Sequence, residues 1–174
     1  MILPSTKTSV LPQWIDHNGH MNLAYYVLAF DQATDAVYET WGLGFDYPDR
    51  ENHSIFTIGI NVDYLKEAFE GDPLEVRTQL LDMDHKRIHY VHSMYHDDSH
   101  RLLARNECLC INVDLSSRRS APFPSSVVDK LRPVFDAHAE LDTPDGVGRQ
   151  SVSYTHLRAH ETRHDLVCRL LLEK

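Results

Sequence analysis

The spacing of apolar residues along the chain first follows a helical pattern. Between positions 23 and 41 apolar side chains recur every three or four residues, which is typical of an amphipathic helix. Asn22 comes just before this stretch and Gly42 just after it, and these residue types favour a helix start and a helix end. The pattern therefore predicts one helix of about five turns with one buried side.

After residue 55 the pattern changes to the alternation of apolar and polar residues that indicates strands. The alternation covers four stretches, separated by turn residues: 56–64, 74–80, 88–94 and 102–113. In the first of them it places five residues on one face, namely Phe56, Ile58, Ile60, Val62 and Tyr64. Gly59 lies inside this strand, where a glycine predicts a bulge or a close backbone approach.

Two further elements complete the predicted fold. Residues 6–15 favour a short strand that ends near Asp16, and residues 125–139 favour a second, more exposed helix. One long early helix followed by consecutive strands predicts an α+β fold, with an antiparallel sheet and the helix on one of its faces.

Composition and charge limit the classes of function. A chain of 174 residues suits a single domain, and its net charge of −9 opposes binding to nucleic acid phosphates. The sequence shows no apolar run long enough to span a membrane, and residues 1–10 lack a basic segment followed by a hydrophobic stretch. We therefore expect a cytoplasmic protein that binds neither nucleic acid nor membrane, with its cysteines reduced.

The segment from Trp14 to Asn22 contains the strongest candidate chemistry. It places Asp16 at a strand end, Gly19 in a turn and Asn22 at the start of the long helix. Unpaired N–H groups at a helix start carry partial positive charge, so they can polarise a carbonyl group and keep a nearby carboxylate ionised. The alternative is that Asp16 and Asn22 only cap the helix.

The chain resembles a known family over about residues 6–139. The run Asp16-x-x-Gly19-His20-Met21-Asn22, the long helix after it and the segments 62–74 and 103–114 are similar to the hotdog-fold thioesterases of the 4-hydroxybenzoyl-CoA type. The resemblance implies a hotdog fold, in which an antiparallel sheet wraps around one central helix. It also implies hydrolysis of an acyl-CoA thioester without a cofactor. Together with residues 84–89 and 113–114, the motif is most similar to the carnitine-degradation members, which act on betainyl-CoA.

The same resemblance implies a role for each residue of the motif. Asp16 is expected to act as general base or nucleophile, and a backbone N–H near Leu23 to hold the carbonyl oxygen. Gly19 would allow close approach of the substrate, while His20 and Asn22 would order the turn or contact the thioester. The family forms assemblies in which subunits share the site, so we expect a homodimer or homotetramer.

Two sets of side chains are candidates for binding the substrate. Aromatic rings attract a quaternary ammonium group, and the candidates are Trp14, Tyr25, Tyr26, Phe56, Tyr64 and Tyr90. Packing in the core is the alternative for each of these rings. The phosphates of CoA favour Lys and Arg, and the clustered candidates are Lys86, Arg87, Arg118 and Arg119. A solvated turn would explain these four residues equally well.

A metal site is not expected, although the chain has 12 histidines, because no Cys-x-x-Cys spacing is present. His156, His160 and His164 do recur every four residues, as a helical metal face would. However, residues 151–174 resemble translated sequencing adapter. We therefore expect a thioesterase domain at 1–148 and a non-native tail at 149–174.

Two other functions stay open from the sequence. A thioesterase of the same fold that acts on acyl carrier protein would meet the same thioester, although the negative net charge opposes docking of an acidic carrier. A non-catalytic module that binds acyl-CoA would need the pocket but not Asp16.

Overall fold

The computed structural model describes residues 3–148 of the chain. Residues up to Thr143 belong to one compact unit, and the described part of a second unit is a short turned segment at 144–148. The predicted tail at 149–174, with its three regularly spaced histidines, lies outside the described residues.

The first unit contains one antiparallel sheet and three helices within the described residues. The elements are β1 (Ser5–Ser9), α1 (Leu23–Trp41), α2 (Tyr47–Glu51), β2 (His53–Tyr64), β3 (Pro73–Met83), β4 (Arg87–His96), β5 (Leu102–Asp114), β6 (Arg119–Ser120) and α3 (Ser125–Ala139). The strands follow the order β1-β3-β4-β5-β2, and β6 pairs with the end of β5. Helix α1 contacts β1, β3, β4 and β5. The predicted α+β architecture is confirmed.

Helix α1 begins and ends at the residues that its sequence predicts. The side chain of Asn22 accepts a hydrogen bond of 3.0 Å from the N–H of Ala24. Gly42 ends the helix in the left-handed conformation, with φ of 79°, which favours glycine. The buried side of the helix includes Phe30, Ala33 and Val37, which pack against the inner face of the sheet.

The predictions for the two neighbouring segments were partly wrong. The first strand ends at Ser9 and not near Asp16, because Pro12 begins a single helical turn, Pro12–Trp14, and cannot donate to a strand partner. The stretch between α1 and β2, where the sequence pattern predicts no element, contains the short helix α2. Its five residues give too little periodicity to be recognised in a sequence.

Strand β2 contains the bulge that Gly59 predicts, and the bulge changes which residues share a face. The register with β5 shifts between Thr57 and Gly59, so Ile58 is an extra residue. Ile60 and Tyr64 pair with Cys108 and Ala104 and face α1, whereas Phe56 pairs with Ile111 and faces away. The expectation that Phe56, Ile60 and Tyr64 lie on one face was therefore wrong.

A buried imidazole links α1 to the middle of the sheet. His92 on β4 is fully buried, and its two ring nitrogens lie 2.8 Å from Thr78 Oγ1 and 2.9 Å from Thr34 Oγ1. Burial lowers the pKa of His92 to about 3, because the charged form would lose its hydration. The ring is neutral in the folded protein at neutral pH.

We predict that this histidine destabilises the fold in mild acid. The unfolded chain binds a proton at His92 below its ordinary pKa of about 6.5, and the folded chain does so only near 3. The free energy of unfolding should therefore fall as pH falls from 6.5 towards 3, by about 2 kcal/mol between pH 7 and pH 5 from this residue alone. Urea unfolding of the wild type and of His92→Gln at both pH values measures the contribution. An equal pH dependence in the two proteins would contradict it.

Candidate active site

The chain makes a tight loop immediately before α1. Ile15 and Met21 form an isolated antiparallel bridge, and the N–H of Asp16 donates to the carbonyl of His20 at 3.0 Å. The N–H of Gly19 donates back to the carbonyl of Asp16 at 3.0 Å, with φ of 83° at Gly19. The loop is anchored to the core through Met21, whose N–H donates to the carbonyl of Ala68. Asp16 is thus held at a defined position.

Asp16 is ionised at neutral pH and its carboxylate is accessible. The N–H of Asn18 donates to Asp16 Oδ1 at 2.8 Å, and this bond lowers the pKa of Asp16 below its ordinary value. The nearby imidazoles of His20 and His17 lower the pKa further, by a smaller amount. A charged carboxylate that faces solvent can accept a proton from water or attack a carbonyl carbon.

The start of α1 provides a hydrogen-bond donor close to this carboxylate. Within residues 3–148 the N–H of Leu23 has no hydrogen-bond partner, as expected for the first residue of a helix. Leu23 is 63% exposed, which leaves room for a ligand at this turn. Tyr64 from the end of β2 lies against the same turn, where its hydroxyl donates to the carbonyl of Leu23 at 3.3 Å.

The other residues predicted at this end make contacts within the chain. His20 Nδ1 lies 3.3 Å from the carbonyl oxygen of Met21, and its Nε2 lies 3.8 Å from Glu67 Oε1. Tyr26 is buried, with its hydroxyl donating to the carbonyl of Lys66 and accepting from the N–H of Ala68. Among the other aromatic candidates, Trp14 and Tyr90 are buried in the core, which is the packing alternative.

The remaining predicted binding residues lie at the opposite end of the sheet. Arg87 pairs with Ile111, and Ile111 pairs with Phe56, so these positions lie side by side across three strands. Arg118 covers the Phe56 ring with its guanidinium 5.4 Å from the ring centre. Lys86 Nζ lies 3.4 Å from Ser120 Oγ, and Arg87 is held by the carboxylate of Asp84.

Within one chain the two groups of predicted residues do not meet. Phe56 and Tyr64 are eight residues apart on β2, which corresponds to roughly 25 Å at the usual strand rise. Asp16, His20, Asn22, Leu23 and Tyr64 lie at the near end of the sheet, whereas Phe56, Lys86, Arg87 and Arg118 lie at the far end. A ligand that contacts both groups must therefore contact more than one copy of the chain or extend along the whole sheet.

The sequence reasoning missed a cavity at the far end. It has a volume of about 260 Å³ and lies between α1, α2 and the first half of β2. Three acidic residues of α1, namely Asp31, Asp35 and Glu39, contribute to its wall. The signal was present in the sequence, because three carboxylates at four-residue spacing on one helix place like charges side by side.

Two structural features are absent from the described part of the chain. Between residues 3 and 148 no three His, Cys, Asp or Glu side chains converge on a position suitable for a metal ion. Over the same residues no helix has the length and apolar character needed to cross a membrane.

Comparisons with known proteins identify relatives of this chain. Residues 10–131 match the family model of the thioesterase-like superfamily. A betainyl-CoA thioesterase of Pseudomonas aeruginosa is 42% identical over 148 residues, which cover 85% of this chain and 93% of that protein. A Rhizobium meliloti L-carnitine dehydrogenase/betainyl-CoA thioesterase is 37% identical over 142 residues, 82% of this chain but 28% of that longer protein. A Staphylococcus aureus protein solved in complex with CoA superposes with a TM-score of 0.81, at 25% identity, over 87% of this chain and 97% of that one.

Proposed function

The chain belongs to the thioesterase-like superfamily and is an acyl-CoA thioesterase, and we propose that it hydrolyses betainyl-CoA with Asp16 as the reacting carboxylate. The observation that carries the proposal is the pairing of an ionised, accessible Asp16 with the unpaired N–H of Leu23 at the start of α1. The relative that is 42% identical supports the choice of acyl group.

The proposed reaction needs no group beyond this chain, water and the thioester. Asp16 removes a proton from water while the water oxygen attacks the thioester carbon, or the carboxylate itself attacks that carbon and displaces the thiolate, forming an anhydride that water then cleaves. In both routes the carbonyl oxygen becomes an oxyanion, which the N–H of Leu23 and the positive end of α1 stabilise. The carbon–sulfur bond then breaks, and CoA leaves as a thiolate that takes up a proton.

The loop geometry supports this assignment over simple capping of the helix. The capping bond to the N–H of Ala24 comes from Asn22, and Asp16 instead accepts its bond from Asn18 inside the loop. Asp16 is therefore not needed to satisfy the start of the helix. The side chain of Asn22 makes only the smallest contribution to the lowered pKa of Asp16, and the carboxylate faces solvent, so it is available to the substrate.

The exposed edge of the sheet supports a homodimer as the working form. Strand β2 has 12 residues and is hydrogen-bonded on one side only, to β5. Ile58 is 43% exposed and Ile60 is 49% exposed, which is unusual for a long edge strand in a monomer. The opposite edge, β1, has five residues and is rich in Ser and Thr. We propose that β2 pairs with β2 of a second copy.

This pairing would complete the site. A two-fold axis perpendicular to the sheet makes the two β2 strands antiparallel and keeps both α1 helices on the same side. With the axis near the middle of β2, the Tyr64 end of one copy lies beside the residue 53–57 end of the other. Asp16 then lies near the far end of the partner copy, where Lys86 and Arg118 could bind the phosphates of CoA.

We predict that Asp16→Asn lowers kcat for betainyl-CoA by about 10²- to 10⁴-fold, the usual contribution of a group that transfers a proton. The substitution keeps the shape and polarity of the side chain, so the melting temperature and the affinity for CoA should change little. Release of the CoA thiol measures turnover, and calorimetry measures CoA binding.

The matched control is Asp129→Asn, which removes an equal charge from an exposed position on α3. It should leave turnover unchanged. Turnover by Asp16→Asn close to that of the wild type would refute the role of Asp16. Binding of CoA without hydrolysis of any thioester by the wild type would favour a non-catalytic binding module.

We also predict that Ile60→Glu converts the dimer to monomer and abolishes turnover. The substitution places a charge in the middle of the proposed β2 pairing, where burial of an unpaired carboxylate is costly. Leu11→Glu is the matched control, because Leu11 is similarly exposed but lies outside β2. Light scattering after size-exclusion chromatography gives the mass of each variant. An Ile60→Glu protein that keeps the wild-type mass would refute the interface.

A further inference from the structure

The cavity beside α1 is lined by two notable kinds of side chain. Carboxylates of α1 contribute to the lining, and so do three aromatic residues from α1, α2 and the loop between them, namely Tyr38, Phe45 and Tyr47. Thr57 and Ile55 from the first half of β2 complete the lining. Phe45 is 78% exposed, which is exceptional for a phenylalanine, and it stands at the cavity edge with its ring available for contact.

The α1 carboxylates in the cavity lining repel one another, and no positively charged side chain among residues 3–148 pairs with them. Asp31, Asp35 and Glu39 follow each other at four-residue spacing, so neighbouring pairs destabilise the helix. Within residues 3–148, Asp31 and Asp35 make no ion pair or hydrogen bond through their side chains, and Glu39 accepts only from the N–H of Phe45. Partial burial, followed by the charges of Asp31 and Glu39, raises the pKa of Asp35. A cation would relieve this repulsion.

We infer that this cavity binds the quaternary ammonium group of the acyl chain, with Asp31 and Asp35 supplying opposite charge and Phe45 and Tyr38 supplying aromatic faces. The inference rests on the proposed function and deepens it, because it identifies the residues that select the acyl group. Carboxylates together with aromatic rings suit a cation that has no hydrogen-bond donors, since attraction to charge and to ring faces needs no N–H group.

For one substrate molecule, the cavity that binds it and the Asp16 carboxylate that reacts with it must belong to different copies of the chain. Asp35 lies 12 residues after Leu23, about 18 Å along α1 at the usual helical rise. A betainyl group places its nitrogen only two bonds beyond the carbonyl carbon, so it cannot extend over that distance. The antiparallel β2 pairing proposed above brings the residue 53–57 end of one copy beside the start of α1 in the other. This end includes cavity residues Ser54, Ile55 and Thr57.

The experiment compares two thioesters that differ only in charge. Betainyl-CoA carries a trimethylammonium group, and tert-butylacetyl-CoA has a carbon atom in place of that nitrogen. The ratio of kcat/KM for the two substrates reports recognition of the charge, because shape and reacting bond are the same. The ratio is measured for the wild type, for Asp31→Asn combined with Asp35→Asn, for Phe45→Leu, and for the control Asp129→Asn.

We expect the wild type to prefer the charged substrate and the double variant to lose that preference by about tenfold or more. Phe45→Leu keeps the apolar bulk but removes the ring face, and should lower the ratio by about threefold. The control should keep the wild-type ratio. The melting temperature of the double variant should equal or exceed that of the wild type, because like charges are removed.

The outcomes separate this inference from the proposed function. Hydrolysis of neither thioester by the wild type would refute the proposed function itself. If the wild type hydrolyses betainyl-CoA and the double variant keeps the wild-type ratio of kcat/KM for the two thioesters, only the cation site is refuted. A double variant in which kcat/KM falls equally for both substrates would also refute the cation site. The carboxylates would then support assembly or catalysis without recognising charge.

Discussion

In the proposed mechanism, the unpaired N–H groups at the start of α1 determine where this protein performs chemistry. A helix leaves its first N–H groups without partners inside the helix, and the chain satisfies that of Ala24 with Asn22 while leaving that of Leu23 open. The loop from Ile15 to Met21 then places an ionised carboxylate beside this open donor. A negative charge and a hydrogen-bond donor at fixed positions match the two needs of thioester hydrolysis, namely a base and a site for the oxyanion.

The second constraint is the length of the elements that support the site. Helix α1 has 19 residues and β2 has 12, so each extends along the whole sheet and separates the reacting carboxylate from the acidic and aromatic cavity. A small substrate cannot contact both ends in one chain. The proposed pairing at the exposed apolar edge of β2 would resolve this separation, because it would bring the far end of one chain to the near end of the other.

Local features of the fold could be predicted from the sequence because local physics determines them. Asn22 and Gly42 bound α1 through a side-chain cap and a left-handed residue, and Gly59 marks the bulge in β2. The consequence of the bulge was missed, since an extra residue reverses the face of everything on one side of it. Phe56 therefore faces away from α1, although its spacing from Tyr64 is even.

The candidate site was only partly predictable for a similar reason. Asp16 and the helix start lie within eight residues of each other, so a sequence pattern can show them together. In the proposed dimer, the relation between Asp16 and the cavity depends on a second chain, and no spacing within one chain encodes such a relation. The sequence contains Asp31 and Asp35 at four-residue spacing, but only the structure shows that they line a cavity together with aromatic residues.

Mixed dimers provide the most direct measurement of the central claim, that each site combines Asp16 of one copy with the cavity of the other. Protein carrying Asp16→Asn is co-assembled with protein carrying Asp31→Asn and Asp35→Asn, and hydrolysis of betainyl-CoA is measured in the purified heterodimer. The account predicts one intact site per heterodimer and activity near half that of the wild type, well above either parent. Activity no higher than the average of the two parents would contradict a shared site, because each chain would then contain a complete and damaged site of its own.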